Sequence, residues 1–273
     1  MIELATRDYA RARPLFQPLG FHQAVDAVLE GQVPAVLYVD DPLEPRVAFT
    51  RAGFRLLLAG SPEDSAFNAA LAHHLHDVVL AEARAAGREG VTLYYGPASW
   101  ERVLPPLLDG LRVARVQRQY YIFQNSEENW RVLLPAGISL IPVGRYMLDE
   151  ARLHNHEELE REMRSERPSV EEFLEKSFGV CALCEGELAG WCLSEYNTSR
   201  GCEIGIETVE PYRRRGLATA MTLAFVEHAR AHGLAHIGWD CFAGNLPSRA
   251  AALRAGFSLL CQYPAYVISL GGH

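Results

Sequence analysis

Three consecutive arginines followed by a glycine are the residues of this sequence whose types and spacing point most directly to chemistry. Arg213, Arg214 and Arg215 precede Gly216, and the run LATAMTLAF follows. A helix that begins after Gly216 presents unpaired backbone N–H groups and the positive end of its dipole at this turn. Arginine adds forked donors, and glycine lets a phosphate approach the backbone without meeting a Cβ atom. The stretch therefore predicts an anion site with a pyrophosphate as its expected occupant.

A solvent-exposed basic turn that starts an ordinary helix is the alternative interpretation of RRRG taken alone. Two other phosphate motifs do not apply, because the sequence has neither a GxxxxGK[ST] P-loop nor a GxGxxG turn after an early strand. The elements around the arginines must therefore decide between the two interpretations.

The arginine turn belongs to a strand–turn–helix unit in the second half of the sequence. The run CEIGIETV before it is typical of a strand, and the helix after it is expected to end at Gly233. Leu217, Met221, Ala224 and Phe225 share one face of that helix. Further strands are predicted at ISLIPV, SFGVCALCE, ELAGWCLSEY, AHIGWDCF, FSLLCQY and AYVISL, with helices from Tyr146 to about Arg167 and at LPSRAAALRA.

The first half has the same order of helices and strands, which indicates a duplication. LLDGLRVARVQRQYYIF resembles LRAGFSLLCQYPAYVI, with a helix end, a glycine and two strands in each. The polar segment QNSEENW between the halves is typical of a linker. We therefore predict two domains, over residues 1–125 and 130–273.

The composition is that of a globular protein, since 49% of the 273 residues are hydrophobic and 22% are charged. A formal net charge of −8 argues against general nucleic-acid binding. The sequence shows no membrane span and no signal peptide, so we expect a cytoplasmic protein. The six cysteines are expected to be free and mostly buried. Cys181-x-x-Cys184 lacks a second pair at a useful spacing, so it does not indicate zinc.

Two motifs in the second half resemble those of a known superfamily. Arg213-x-x-Gly216-x-Ala218 is similar to the [Q/R]-x-x-G-x-[G/A] motif of the GCN5-related N-acetyltransferases (GNAT), and NLPSRAAALRAGF (245–257) resembles their second signature. The stretch from Glu203 onward is also similar to a subgroup that includes zwittermicin-type antibiotic-resistance acetyltransferases. The resemblance implies an α/β (α+β) fold of tandem GNAT-like copies, with a mixed, mostly antiparallel central sheet flanked by helices. It also implies acetyl-CoA as co-substrate.

The resemblance places the coenzyme along the fourth strand of the second half and at the turn that follows. In the family this strand carries a bulge that separates it from the fifth strand. Main-chain groups of Ile206, Thr208 and Val209 would contact the pantetheine and the thioester oxygen. The other implied coenzyme-binding residues are Arg213, Arg214, Arg215, Gly216, Leu217, Ala218, Thr219, Asn245 and Ser248.

Four carboxylates on neighbouring strands are candidates for acid–base chemistry on an amine. The amine must be neutral when it attacks the thioester, and a carboxylate can take its proton. Glu203 and Glu207 share a face by alternation, and many relatives place a general base near Glu203. Glu195 and Asp240, on adjacent strands, could bind an ammonium group or relay its proton. A solvated strand edge or a structural hydrogen bond is an equal alternative for each carboxylate.

The sequence departs from the family at the acid that protonates the leaving thiolate. Many relatives have a tyrosine seven residues after the asparagine of the second signature, where this chain has Ala252. Tyr263 and Tyr266 follow on the last strands. Tyr266 is the catalytic candidate, with a core aromatic as the alternative.

Two histidine clusters offer metal-type ligands. His73 and Asp77 are spaced for one helical face, and HNHEE spans His154 to Glu158. Neither cluster is joined to a second one, so no metal site is predicted. The segment from His154 to Glu158 is expected to contact the acceptor.

The first half has its own counterpart of the arginine turn in AGSPEDSAF. Glu63 and Asp64 stand there in place of arginines. Acidic residues cap a helix N-terminus well and repel a pyrophosphate. We therefore predict that the N-terminal copy is degenerate and does not bind the coenzyme.

The sequence as a whole predicts an N-acetyltransferase that moves an acetyl group from acetyl-CoA to a small-molecule amine. The acidic surface suits a cationic acceptor, such as an antibiotic or an amino-acid-like metabolite. The alternatives are a protein or peptide N-terminal acetyltransferase and a non-catalytic acyl-CoA-binding sensor. No nucleic acid, membrane or metal is expected as a partner, and the chain is expected to be a monomer or a homodimer.

Overall fold

The computed structural model describes residues 1–145 and 156–271. The chain divides into two compact units, unit 1 with residues 1–117 and 263–273 and unit 2 with residues 118–262. None of the helices in the described ranges is long and apolar enough to cross a membrane.

Unit 1 is built on a sheet that is antiparallel except for one pair of strands. Its strands are β1 (Ile2–Glu3), β2 (Ala35–Val39), β3 (Val47–Ala52), β4 (Arg55–Gly60), β5 (Gly90–Gly96) and the end of β12 (Phe257–Ser269). They lie in the order β1-β2-β3-β4-β5-β12, and β4 and β5 are parallel. Its helices are α1 (Gln23–Leu29), α2 (Ser65–His74), α3 (Leu80–Ala85) and α4 (Leu104–Leu107), with 3-10 helices at Thr6–Leu19 and Ala98–Arg102 and a π-helix at Leu75–Val79.

Unit 2 has a sheet of the same kind. Its strands are most of β6 (Val113–Phe123), then β7 (Ile138–Pro142), β8 (Gly179–Cys184), β9 (Glu187–Glu195), β10 (Gly201–Thr208) and β11 (His236–Phe242). They lie in the order β7-β8-β9-β10-β11-β6, and β10 and β11 are parallel. Its helices are α5 (Trp130–Leu133), α6 (His156–Glu166), α7 (Val170–Lys176), α8 (Leu217–Ala231) and α9 (Leu246–Arg254), with a 3-10 helix at Glu210–Tyr212.

The two faces of the unit 2 sheet pack against different helices. Residues on one face, such as Cys192, Ile204 and Trp239, form a core with α8. Trp191 and Leu193 belong to a second core with α6 and α7 on the other face. Because side chains alternate along a strand, Glu203 and its every-second neighbours lie on the α6–α7 face.

The predicted fold class is confirmed, because both units have a mostly antiparallel sheet flanked by helices. One strand of each unit comes from the sequence range that was predicted for the other domain. Residues 265–269 of β12 pair with β5 in unit 1, and residues 118–122 of β6 pair with β11 in unit 2. The compact units therefore differ from the predicted ranges 1–125 and 130–273 at β6 and at β12.

Several elements differ in detail from those predicted. RVARV and YYIFQ form the single strand β6, and FSLLCQY and AYVISL form the single strand β12. Of the helix predicted from Tyr146, the structure shows α6 from His156, and residues 146–155 lie outside the described ranges. The helix predicted after Gly216 is confirmed, and Leu217 and Phe225 are buried in its core.

Candidate functional site

Strands β10 and β11 separate in the middle of the unit 2 sheet. They pair only from Gly201 to Glu203, against residues 236–238. Beyond that point β10 stays paired with β9 as far as Thr208, and β11 stays paired with β6 as far as Phe242. A gap therefore opens between the two strands immediately after Glu203, and we call it the β10–β11 gap.

Alternate main-chain groups of β10 face this gap. The Val209 N–H donates to the Ala189 carbonyl of β9 at 3.0 Å. Because hydrogen-bonded and non-bonded residues alternate in an antiparallel pair, the main-chain groups of Ile204, Ile206 and Thr208 point away from β9, towards the gap. The assignment of Ile206 and Thr208 fits this geometry. The geometry does not favour Val209, because its N–H donates to Ala189 and its carbonyl accepts from the Tyr212 N–H at 2.9 Å.

The strand separation does not need the expected bulge. The β9–β10 register runs without interruption from Glu203 to Thr208. The neighbouring β8–β9 pair has an irregularity at Ala182/Leu183. The gap arises because β10 and β11 each follow a different neighbour after Glu203.

The arginine turn lies between the end of β10 and the start of α8. Gly216 is the N-cap residue of α8, with φ +80°, a left-handed conformation that favours glycine. A Cβ atom on Gly216 would meet nothing within 4 Å, so the space above the helix N-terminus is open. No side chain in the described ranges caps this helix by a hydrogen bond. Leu217 and Thr219 are buried, so what these two residues offer a ligand is their main chain.

The three arginines of the turn have different roles. Arg213 donates through Nε to the Thr208 carbonyl at 2.8 Å and through Nη2 to Glu207 Oε1 at 2.9 Å. It therefore fixes the turn to the end of β10. Arg215 lies 5.8 Å from the centroid of the Tyr212 ring, and Arg214 adopts φ +62°. Arg214 and Arg215 are exposed and provide the charge available to an anion.

Glu207 is therefore not placed as a general base. Its carboxylate is partly exposed and is ion-paired with Arg213. A base must be able to reach the acceptor nitrogen, whereas this ion pair holds the carboxylate at the arginine turn. The structure assigns Glu207 a bracing role instead.

Glu203 is the buried carboxylate at the point where the strands separate. It is fully buried, and its Oε1 accepts a hydrogen bond of 3.2 Å from the Tyr120 hydroxyl of β6. Tyr120 reaches Glu203 across β11 at Gly238, where any Cβ atom would collide with the Tyr120 hydroxyl. Tyr120 was not among the residues predicted from the sequence. A glycine inside a strand often marks a close approach, and Gly238 was the available signal.

Glu195 reaches the same region from the other side. It lies directly opposite Glu203 in the β9–β10 register. Its carboxylate lies over Gly205, where an added Cβ atom would collide with Glu195 Oε1. Gly205 is two residues beyond Glu203 and therefore lies on the same face of the strand. The Glu195 carboxylate thus lies beside the beginning of the gap. Glu195 and Glu203 are the two predicted carboxylates that the structure brings together.

Asp240 belongs to an ion pair and is not placed as a base. Arg118 Nε donates to both of its carboxylate oxygens, at 3.1 and 2.9 Å, and Nη2 lies 2.8 Å from Oδ2. The Asp240 side chain is 0% exposed and that of Arg118 is 10% exposed. The Arg118 guanidinium also lies 4.4 Å from the centroid of the Phe242 ring. Asp240 is thus engaged by a cation from β6, which argues against both roles predicted for it, the binding of an ammonium group and the relay of its proton.

Residues of the second signature stabilise α9. Asn245 is the N-cap, and its Oδ1 accepts from the Ser248 N–H at 3.1 Å. Ser248 Oγ accepts from Trp239 Nε1 at 2.9 Å. Ala252 is fully buried in the core below α8. A tyrosine would not fit at Ala252 without repacking that core, so the family's usual acid has no room in this chain.

Tyr266 lies in unit 1. It is buried in the unit 1 core, and its ring centroid lies 5.8 Å from that of Tyr95. Tyr263 packs there with Phe21, at a ring-centroid distance of 4.9 Å. These positions correspond to the alternative interpretation of both tyrosines as core aromatics and contradict a catalytic role for Tyr266 on the unit 2 sheet.

The cysteines are free thiols. Burial raises the pKa of Cys181, Cys192, Cys202 and Cys241, which keeps these thiols protonated at neutral pH. A nucleophilic cysteine needs the opposite shift.

The histidine clusters do not form a metal-type ligand set in the described ranges, where no three His, Cys, Asp or Glu side chains are grouped so as to hold a metal ion. His73 Nδ1 and Asp77 Oδ2 are 4.0 Å apart, and both side chains are well exposed on the helix surface. His154 lies outside the described residues, and Glu158 is exposed near the start of α6.

The counterpart of the site in unit 1 has a different geometry. There the parallel strands β4 and β5 stay paired over all of residues 55–59. Asp64 caps α2, because its Oδ1 accepts from the Phe67 N–H at 2.8 Å. Trp100 Nε1 donates to the Gly60 carbonyl at 2.9 Å at the end of β4. Unit 1 therefore has neither an open gap nor an uncapped helix at this place.

Comparison with known proteins identifies the family. A family model described as GNAT acetyltransferase matches residues 13–266. The chain belongs to the GNAT acetyltransferase family. This acetyltransferase is 26% identical to an uncharacterized N-acetyltransferase of Bacillus subtilis, YdfB, over 267 residues and 97% of both chains.

Solved structures show the same fold as this acetyltransferase. A GCN5-related N-acetyltransferase-like protein from Streptococcus suis is 24% identical, with a TM-score of 0.71 over 96% of this chain and 98% of that one. A tandem GNAT protein from the clavulanic acid biosynthesis pathway is 12% identical, with a TM-score of 0.57 over 100% and 98%. The family membership establishes an acyltransferase, and GNAT enzymes use acetyl-CoA as co-substrate.

Proposed function

We propose that unit 2 of this acetyltransferase moves the acetyl group of acetyl-CoA directly to a primary amine of a small molecule. The observation that carries the proposal is the β10–β11 gap, which begins at the buried carboxylate of Glu203 and leads to the uncapped N-terminus of α8. A thioester in that gap would have a carboxylate at one end and a phosphate-binding turn at the other.

The proposed coenzyme site uses main-chain groups and two arginines. The first N–H groups of α8 and the side chains of Arg214 and Arg215 would hold the pyrophosphate. Main-chain groups of Ile204 and Ile206 and the N–H of Thr208 face the gap and would hydrogen-bond the pantetheine and the thioester oxygen, whereas the Thr208 carbonyl accepts from Arg213 Nε. A backbone N–H aimed at a developing oxyanion contributes about 3–4 kcal/mol to catalysis.

Glu203 and Glu195 are the proposed acid–base groups. One of them takes a proton from the acceptor ammonium group, either directly or through water. The neutral nitrogen then forms a bond to the thioester carbonyl carbon and loses a second proton to solvent. The C–S bond breaks, and the thiolate leaves with the bonding electron pair and takes a proton from solvent. No residue of the tyrosine type stands at Ala252 to donate that proton.

A direct transfer fits the thiols of unit 2 better than an acyl-enzyme. A covalent route would need a thiolate, and burial keeps Cys181, Cys192, Cys202 and Cys241 protonated. The amine itself is therefore the proposed nucleophile.

The proposed stoichiometry is one coenzyme per chain. In unit 1 the parallel strands remain paired, and Asp64 occupies the helix N-terminus that would meet a pyrophosphate. Calorimetric titration with acetyl-CoA is expected to give one site, and two sites would contradict a degenerate N-terminal copy.

The test of the function is acetyl-CoA-dependent thiol release in the presence of a panel of small amines. We expect release to rise with at least one amine, and Glu203→Gln or Glu195→Gln to reduce it by about 100-fold or more, the usual contribution of general acid–base catalysis. Glu127→Gln, at an exposed carboxylate in the segment between β6 and α5, is the control.

Three outcomes would replace the proposal. Release that occurs only with peptides would indicate an N-terminal acetyltransferase. Coenzyme binding without turnover on any amine would indicate a sensor. Full activity of both glutamine variants would remove the base assignment. Membership of the antibiotic-resistance subgroup stays a prediction, which the same panel tests by including aminated antibiotics.

A further inference from the structure

We infer that Tyr120 is a positioning residue for acetyl transfer, and that it acts through its hydrogen bond to Glu203. The inference rests on the proposed function, since it assumes that Glu203 takes the acceptor proton. Tyr120 lies on β6, two strands away from β10, and its hydroxyl is 3.2 Å from Glu203 Oε1. Both residues are buried.

The sheet is built to let this contact form. Tyr120 lies opposite Asp240 in the β6–β11 register, and its hydroxyl reaches diagonally to Gly238. A side chain at Gly238 would collide with the Tyr120 hydroxyl and ring, and its Cβ would also lie 3.2 Å from Glu203 Cγ. Gly238 is the last residue of β11 that pairs with β10. The contact is therefore located at the point where the gap begins.

Other ionisable groups surround Glu203 within unit 2. Glu195 faces it from β9 and Cys202 precedes it on β10. The Arg118–Asp240 ion pair joins β6 to β11, and Asp240 lies directly opposite Tyr120. Glu195 is a like charge, which disfavours ionisation of a nearby carboxylate. A hydroxyl that donates to a carboxylate favours the ionised form and fixes its orientation. Tyr120 thus offsets the effect of Glu195 and keeps Glu203 ready to accept a proton.

The experiment compares two neighbouring tyrosines. Tyr120→Phe keeps the ring and removes the donor to Glu203. Tyr121→Phe is the matched control, since Tyr121 is equally buried and its hydroxyl donates to Gln119 Oε1 at 2.6 Å. Tyr121 packs on the α8 face of the sheet. Each variant removes a buried tyrosine hydroxyl that donates a hydrogen bond, so a shift of the pH profile in Tyr120→Phe alone cannot be explained by a loss of stability.

The expected result is a change in the pH profile. In Tyr120→Phe the acidic limb of kcat/KM moves up by about one pH unit, and activity below that limb falls about tenfold, because a hydrogen bond to a charged group is lost. The KM for acetyl-CoA stays unchanged. Tyr121→Phe leaves the limb in place. In a double-mutant cycle, Tyr120→Phe adds no loss to Glu203→Gln, whereas Tyr121→Phe has the same effect in both backgrounds.

Failure of the inference and failure of the proposed function give different results. If Glu203→Gln has wild-type activity, the base assignment is wrong. If Glu203→Gln is inactive and Tyr120→Phe behaves as Tyr121→Phe, the inference is overturned. If Tyr120→Phe does not fold, difluorotyrosine introduced at position 120 keeps the shape and strengthens the donor. The acidic limb must then move down, and an unchanged limb also overturns the inference.

Discussion

Glutamate substitutions at the two ends of α8 separate coenzyme binding from helix stability. Gly216 and Gly233 flank this helix, with φ of +80° and +81°, and a Cβ atom on either one would meet nothing within 4 Å. A non-glycine residue in this conformation costs about 1–2 kcal/mol, so both variants lose a similar free energy of unfolding. The helix dipole favours glutamate at the N-terminus by about 0.3–1 kcal/mol and disfavours it at the C-terminus. Without ligand, Gly216→Glu is therefore expected to be the more stable of the two variants.

Acetyl-CoA should reverse this order. A ligand at 100 times its dissociation constant adds about 2.7 kcal/mol to the free energy of unfolding. At about 2–4 °C per kcal/mol for a unit of this size, the melting temperature rises by about 5–10 °C. We expect this rise in the wild type and in Gly233→Glu. In Gly216→Glu a carboxylate and its side chain occupy the space above the helix N-terminus, so the rise should disappear.

A thermal-shift titration with acetyl-CoA measures the effect, with NADH as a control for general nucleotide binding. A full shift in Gly216→Glu would refute the placement of the pyrophosphate at this turn. The open gap would then need another explanation. Loss of the shift in both variants would show that the effect acts through the stability of α8 and not through a local contact.

Three further predictions concern positions where the structure leaves little freedom. Gly238→Ala should displace the Tyr120 hydroxyl and lower both kcat and the melting temperature. Gly244→Ala is the control, because its added Cβ atom meets no other group and should cause no clash. Equal effects of the two variants would contradict the close approach at Gly238. Asp64→Ala should lower the free energy of unfolding by about 1 kcal/mol, because it removes the cap of α2. Its affinity for acetyl-CoA in calorimetry should be unchanged, and a change would show that unit 1 takes part in binding. Asp240→Asn should lower the free energy of unfolding by about 3–5 kcal/mol, as measured with denaturant, because it breaks a buried ion pair. A decrease below about 1 kcal/mol would mean that the pair is not buried in solution.

The local part of the site could be predicted from the sequence. Arg213 to Gly216 and the helix after them are encoded within one short segment, in which glycine, charge and helical periodicity agree. Alternation along CEIGIETV also placed Glu203 and Glu207 on one face. These inferences depend on neighbours in the chain, and the structure bears out the local geometry in each case.

The partners of the carboxylates could not be predicted in the same way. Arg118 is 122 residues away from Asp240 in the sequence, and Tyr120 is 83 residues away from Glu203. Both come from β6, which the sequence analysis placed in the first domain. No local pattern shows which strand lies beside β11, so Asp240 was expected to bind an ammonium group or relay its proton, and its pairing with Arg118 could not be predicted.

Tyr266 illustrates the same difficulty at the other end of the chain. Its position shortly after the second signature suggested the unit 2 sheet. The second half of β12 pairs with β5 instead, which places Tyr266 in the unit 1 core. A strand that passes from one unit to the other cannot be recognised from its composition.

The exchange of β6 and β12 also determines when the chain can fold during its synthesis. The sheet of unit 1 lacks its last strand until residues 265–269 have left the ribosome, although its other five strands are complete by residue 96. Unit 2, in contrast, receives its borrowed strand before its own strands are made. The order of synthesis is thus opposite to the order of completion: the sheet of the second unit has all its strands first, and the final residues of the chain close the sheet of the first.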